Sequence, residues 1–596
     1  MRGRTGIRSF TALVVVCTAV VVLAAADHPP AMGGTRDTPA SLFVAPTGSD
    51  STRCARSAPC MSWNRAYQLA SPGTVIEVAG GQYGGQVVGA RAGLRNLRPG
   101  CAVPDTTQCI VFQPASGARV VVAGQLEIRG SNVWVKGTTR PAKGLPSRDR
   151  TYSIKVTGYV DTEAESESSY PDHVIVEGVD TTSFGVFNVD TATFRDIDVG
   201  PATIGKDCRI VEGNGFENKI GFAGGIQVVP RNVVLDRLVI HNQNRNPDGA
   251  ASDCHFGGLF LTTANGLVVR NSVFSQNAVY NVQIQNFGGV PAPTNVRFEN
   301  NVFGCPVGWL YEPGGDTRCD NQADIQFNAE SQFTNWLFRF NSFGAGIGQY
   351  VEGARYANVR LVGNVGSRPS QCFAGMSFDF NAWVGGACAK TDRNLSRWPF
   401  VSVTPGAEDF QLVRGTRAAS FVSPEGADLD IRTDIEEQIR PKRFPRDAGA
   451  FQPDTAVMLL GRSIGSARIG MPRAVLLERY GRSARTHSTK VGVHKTRALV
   501  DRFLVPGGVL TATSVDERVV GLSTRSAYYT TLNGLGPGSP VGDAPRGGWV
   551  ECKNVIRRNI AGSMVSLTLS RSKKKPTVTE VAMLRRAYDT PCSAEK

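Results

Sequence analysis

The chain has 596 residues, of which 41% are hydrophobic and 19% charged, a balance that excludes a wholly disordered chain and a chain embedded throughout in a membrane. Its net charge of +14 sits at one end: from Gly461 onward there are 23 Lys and Arg against 9 Asp and Glu, and the body before it is neutral. A basic module on a neutral body suggests an anionic partner for that end, against the plainer reading that the charge keeps it soluble.

Met1 to Ala26 reads as a secretory signal, with Arg2, Arg4 and Arg8, an apolar run from Phe10 to Leu23 and a small-residue cleavage site at Ala24-Ala25-Ala26. The rival reading is a retained N-terminal anchor. Removal of the signal takes Cys17 with it and predicts an extracellular protein with no transmembrane segment. Twelve cysteines remain, in neighbouring couples: Cys54/Cys60, Cys101/Cys109, Cys208/Cys254, Cys305/Cys319, Cys372/Cys388 and Cys552/Cys592. In an exported chain these suggest disulfides that clip loops, with metal ligation the alternative. The chain has no Cys-x-x-Cys pair and six histidines, which argues against the metal.

Residues 27–40 are polar and Pro/Gly-bearing, a linker. Ser41 to Val44 and Thr74 to Ala79 read as strands. Ser62 is placed to cap a short helix through Ala70 whose apolar members are Trp63, Ala66, Tyr67 and Leu69. The central stretch from Gly224 to Gly366 then repeats. Segments at 225–228, 258–261, 281–284, 324–327 and 347–350 superimpose. They are followed by the apolar pairs Val233/Leu235, Leu267/Val269, Val296/Phe298, Trp336/Phe338 and Val359/Leu361, and then by Val239-Ile240, Val273-Phe274, Val302-Phe303, Ser342-Phe343 and Val365. Three short strands per coil predict a right-handed parallel β-helix whose coils must stack to bury their inner faces, and the helix at Trp63 would be its N-terminal lid. Earlier coils are read at Leu126-Glu127-Ile128, Ile154-Lys155-Val156 and Phe187-Asn188-Val189. Tyr159 to Asp172, Lys206 to Gly221 and Asn242 to Phe256 are expected to be inserted loops.

The residues "FVAPTGSD", "PGTVIEVAGGQYGG", "NVRFENNVFG", "NWLFRFNSFG" and the closing "DAGAFQ" resemble secreted right-handed β-helix proteins of the pectate lyase-like superfamily, over roughly 41–452. The resemblance implies that fold, and it is compatible with polysaccharide lyases, hydrolases and proteins without activity. After a linker at 453–460, residues 461–596 read as a small basic α+β domain. Its helix would begin at Met471-Pro472, and its strands would lie near 509–515, 519–524, 549–556, 564–569 and 578–583. Lys573-Lys574-Lys575 reads as a solvated turn rather than a nucleic-acid contact.

If the first strands of each coil share one wall, their outward positions run Glu127, Lys155, Asn188, Gln227, Phe260, Gln283, Gln326 and Gln349. Amides there suit sugar hydroxyls and Phe260 a sugar ring, with His255 approaching from the preceding loop; the alternative is an amide ladder that binds nothing. Asp253 with Asp324 is the expected carboxyl pair for a hydrolase. A lyase would instead need a base such as Lys155 or Lys219, and Asp190, Asp196 and Asp198 could hold Ca²⁺. The expected function is therefore a carbohydrate-active β-helix, lyase-like or hydrolase-like. A non-catalytic extracellular or cell-surface protein that binds or scaffolds polysaccharide stands as the alternative, with the basic domain on an anionic cell-envelope polymer.

Overall fold

The computed structural model describes residues 39–589, apart from 141–149, 205–217, 246–256, 305–322, 424–430, 452–457 and shorter breaks between them. The body is a parallel β-helix with three walls. The first wall is a twelve-stranded parallel sheet whose strands follow one another in chain order from Leu42–Val44 to Met376–Asp379, with the strands of the other walls lying in the connections between most of them. Every apolar pair read from the sequence falls into it in register. Val233, Leu267, Val296, Trp336 and Val359 form one inward column, and Leu235, Val269, Phe298, Phe338 and Leu361 the other. Alternation by two turns both columns to the core.

The second wall stacks Gln86–Val88, Leu126–Ile128, Leu259–Leu261, Val282–Ile284, Ile325–Phe327 and Ile347–Gln349. The third carries Val239–His241, Val273–Ser275, Val302–Phe303 and Ser342–Phe343. Two nine-residue strands, Ile154–Thr162 and Val179–Phe187, bend from the third wall into the second, with a register shift between Val156 and Tyr159. The expected loop from Tyr159 therefore begins as strand. The expected coil at 225–228 is corrected too: Lys219–Gly221 takes that place, pairing with Val179–Phe187 on one side and Leu259–Leu261 on the other.

Stacked rings fill the core. Phe298 lies 5.3 Å from Phe338, and Phe303 lies 5.0 Å from Phe274 and 5.1 Å from Phe343. At the corner after the first wall runs a buried amide ladder. Asn301, Asn341 and Asn364 each donate to the next asparagine, at 3.0, 3.0 and 2.9 Å, and Asn381 donates to Asp392 at 3.1 Å. The same side chains cap the carbonyls of Val269, Phe298, Phe338 and Leu361. An exposed second ladder joins Asn265, Asn295, Asn335 and Asn358, and the last three adopt φ of 55°, 59° and 54°, left-handed turns that asparagine tolerates. The amide ladder is thus built from asparagines at the turns.

Helix Trp63–Leu69 is capped by Ser62, whose hydroxyl accepts the Arg65 N–H at 3.1 Å. It sinks Trp63, Ala66 and Tyr67 into the core, with Trp63 stacked 4.9 Å from Phe112. Phe400, Phe410, Phe421 and Val422 pack against Val302 and Val365 of the third wall and Val362 at the end of a first-wall strand. Beyond them, Arg485–Val491 through Val578–Arg585 form an eight-stranded antiparallel sheet, one face of which packs Phe503, Leu510, Leu522 and Val581 against Leu476 and Tyr480 of helix Arg473–Tyr480. Disulfides join Cys54–Cys60, Cys101–Cys109 and Cys372–Cys388, and Cys552 is also disulfide-bonded. Cys208, Cys254, Cys305, Cys319 and Cys592 lie outside the described residues. Among the described residues no helix is long and apolar enough to cross a membrane.

Candidate functional site

The outward column of the second wall is set by strand register. It runs Glu127, Asp161, Gly185, Lys219, Phe260, Gln283, Gln326 and Gly348. Gln283 and Gln326 are neighbours, as the repeat predicted, but the rest of the predicted line disperses. Lys155 stands on the third wall, paired with Asp180 at 3.5 Å. Gln227 is exposed and outside the stack. Asn188 is fully buried and donates to the carbonyls of Ile226 and Val228. Gln349 is one position out of register, opposite Phe327, and accepts from the Tyr356 hydroxyl at 2.8 Å. Gln283 and Gln326 are each only 7% exposed, and the ring of Phe260 is buried with the Lys219 ammonium 5.5 Å from its centre.

Asp324 is corrected from catalyst to structural cap. It is fully buried; its carboxylate accepts the N–H groups of Ala345 and Gly346 at 2.7 and 2.9 Å and the Asn281 amide at 2.8 Å. Asp253 and His255 lie outside the described residues. The calcium set is corrected as well. Asp196 is held between the guanidiniums of Arg150 and Arg237, both at 2.9 Å, Asp198 faces His241 at 3.0 Å, and Asp190 meets the Asn232 amide at 3.4 Å. Two arginines on one carboxylate repel a cation, and among the described residues no three His, Cys, Asp or Glu groups converge on a metal position.

The chemistry concentrates at the other end of the column. Glu127 and Asp161 are register partners on adjacent strands, and Arg129 and Glu163 lie two residues further on the same face. Glu127 accepts from the Arg129 guanidinium and from Gln125 at 3.3 Å, and the Tyr159 hydroxyl donates to Gln125. Asp161 is 5% exposed, and among the described residues its Oδ1 has no hydrogen-bond partner. Burial, reinforced by the charges of Glu127 and Glu163, pushes its carboxyl well above the ordinary 3.8. Burial and Glu127 raise Glu163 as well, and burial with the same carboxylates pushes Tyr159 up to about 12.

Phe187 completes the arrangement. It is half-buried and follows Gly185 by two residues on the outward side, and its ring folds back over the glycine: a Cβ on Gly185 would fall 2.1 Å from it. An aromatic surface thus lies between Asp161 and Lys219. The sequence reading missed Asp161, Glu163 and Phe187. The first two fall in the segment expected as a loop, Tyr159 to Asp172, and the expected outward position in the Phe187-Asn188-Val189 strand is Asn188. The signal that could have found them is the alternation from Ile154 through Val156 to Val160 and Thr162.

No family model and no curated protein matches the chain. Among solved structures it is similar to pectate lyase Pel9A (14% identity over 69% of this chain and 96% of that one, TM-score 0.35). XylC in complex with xylose follows at 10% identity, over 69% and 98%, with a TM-score of 0.32. A rhamnogalacturonan lyase aligns at 11% identity, over 69% and 97%, with a TM-score of 0.26. Superposition this loose carries nothing about activity, and the chemistry rests on the residues themselves.

Proposed function

We propose that the protein binds a polysaccharide across Phe187 on the second wall and cleaves it by carboxyl acid–base chemistry at Asp161, with Glu127 as the partner carboxylate. The carrying observation is the Asp161 carboxyl, buried, raised and unpartnered at Oδ1, beside a second carboxylate that is ion-paired to Arg129. A carboxyl that holds its proton more tightly than an ordinary aspartate can protonate a glycosidic oxygen while its neighbour stabilises or attacks the sugar cation. Adjacent β-strands lie about 4.8 Å apart, close to the roughly 5–5.5 Å carboxyl separation of glycosidases that retain configuration. Phe187 offers an apolar face to a pyranose ring, and Lys219 a cation to its substituents.

The reading favours hydrolysis over elimination, because three carboxyl groups would repel a uronate at the cleaved bond. A polysaccharide panel with two readouts tests it: new reducing ends for hydrolysis, ultraviolet absorbance of unsaturated products for elimination. Reducing ends are expected without absorbance, with Asp161→Asn reducing the rate by about 100-fold or more and Lys155→Ala leaving it unchanged. Unsaturated products, or full activity in Asp161→Asn, would reject the assignment. Binding without turnover would favour the non-catalytic alternative.

A further inference from the structure

The eight-stranded C-terminal sheet has a second face, which its helix does not cover. Antiparallel register sets Arg485 directly opposite Arg502, His487 opposite Val500, and Arg502 opposite Thr511, which pairs in turn with Ser523. Arg485, His487 and Arg502 are exposed. Like charges directly opposite across two strands destabilise a sheet, and among the described residues neither Arg485 nor Arg502 has a side-chain partner. The acid nearest in sequence cannot help. Asp501 points to the other face, where it is fully buried and holds Arg473 through both oxygens at 2.7 and 3.0 Å.

A groove of about 290 Å³ runs beside this pair, lined by His487, Arg502, Thr511, Ser523, Arg525 and Glu580 among others. Glu580 is the one acid lining it among the described residues, and Arg525 engages it at 2.9 Å. The groove thus offers guanidinium, imidazole and hydroxyl donors without a spare acceptor charge.

We propose that this face holds a carboxylated polysaccharide, with Arg485 and Arg502 on successive carboxylates and Thr511 and Ser523 on sugar hydroxyls. Guanidinium forks match planar carboxylates in two-point contacts, and hydroxyls match the chain between them. The net +14 of residues 461–596 supplies the long-range attraction. Single-stranded nucleic acid fits less well. It needs aromatic platforms for base stacking, and among the described residues no Phe, Tyr or Trp lines the groove. The site is separate from Asp161 and would anchor the protein on an acidic polymer whatever the second wall does.

The test is affinity electrophoresis of the full chain through gels containing alginate, the propylene glycol ester of alginate, polyphosphate or single-stranded DNA. Strong retardation by alginate is expected, lost on esterification and weakened by added salt. The double substitution Arg485→Ala/Arg502→Ala should weaken it tenfold or more while circular dichroism stays as in the wild type and Tm does not fall, and Thr511→Ala/Ser523→Ala should weaken it less. Asp161→Asn should leave it intact, which separates this site from the proposed active site. Equal retardation of the wild type and the double arginine variant, equal retardation by the esterified chain, or retardation by polyphosphate or DNA as strong as by alginate would overturn the proposal.

Discussion

Asp161 is where stability and chemistry pull apart. Its folded-state value is raised, so the folded chain keeps a proton that the unfolded chain releases above its ordinary 3.8. The contribution to stability is therefore complete below that pH and declines as pH rises toward the folded value. Asp161→Asn removes the penalty without adding bulk. Denaturant unfolding at pH 7 is expected to show a gain on the order of 1 kcal/mol, together with loss of cleavage. The wild-type rate should fall on the alkaline side as the acid loses its proton, in the pH profile of kcat. This residue was illegible in the sequence for a physical reason. Ile154, Val156, Val160 and Thr162 keep one parity through the corner, but the alternation is interrupted at Gly158, where the register shifts between walls, and the acidic, serine-rich run that follows masks the pattern. Asp324 shows the converse error: an aspartate beside a glycine-rich turn was serving backbone N–H groups.

The elements divide by how much sequence they contain. First-wall strands of six to eight residues, such as Thr294–Glu299 and Arg355–Val362, show enough alternation to fix both phase and register. Second-wall strands have only three residues, and a three-residue pattern fits either Lys219–Gly221 or the segment at 225–228. The asparagine ladder decides the remaining register, because each Asn closes its own coil and the next one. Asn341→Ala leaves the Asn301 and Asn364 amides and the Phe298 carbonyl short of partners in a dry interior, a cost of about 1–3 kcal/mol per unsatisfied group. Asn335→Ala in the exposed ladder should cost less than about 1 kcal/mol, since water replaces the lost bond. Urea unfolding of the two variants side by side checks the contrast, and equal losses would mean that the inner ladder is not what fixes the corner.

At the scale of the molecule, the β-helix is a stack in which each coil is stabilised by its neighbours. Phe298, fully buried between Phe338, Trp336 and Phe303, ties the first and third walls together at mid-stack. Phe298→Ala should cost about 3–5 kcal/mol, and hydrogen exchange should show the loss greatest in the coils on either side, with the C-terminal sheet unaffected. The three-wall body was legible because stacking demands repetition, and repetition is visible in a single sequence. The burial of the outward column was not, because it depends on what lies over each position. The most direct measurement is a crystal structure of the Asp161→Asn variant with a bound oligosaccharide. A pyranose ring against Phe187, with its glycosidic oxygen within hydrogen-bonding distance of position 161, is the expected result. A sugar seated on the first wall or the C-terminal sheet alone, with Phe187 bare, would contradict the account.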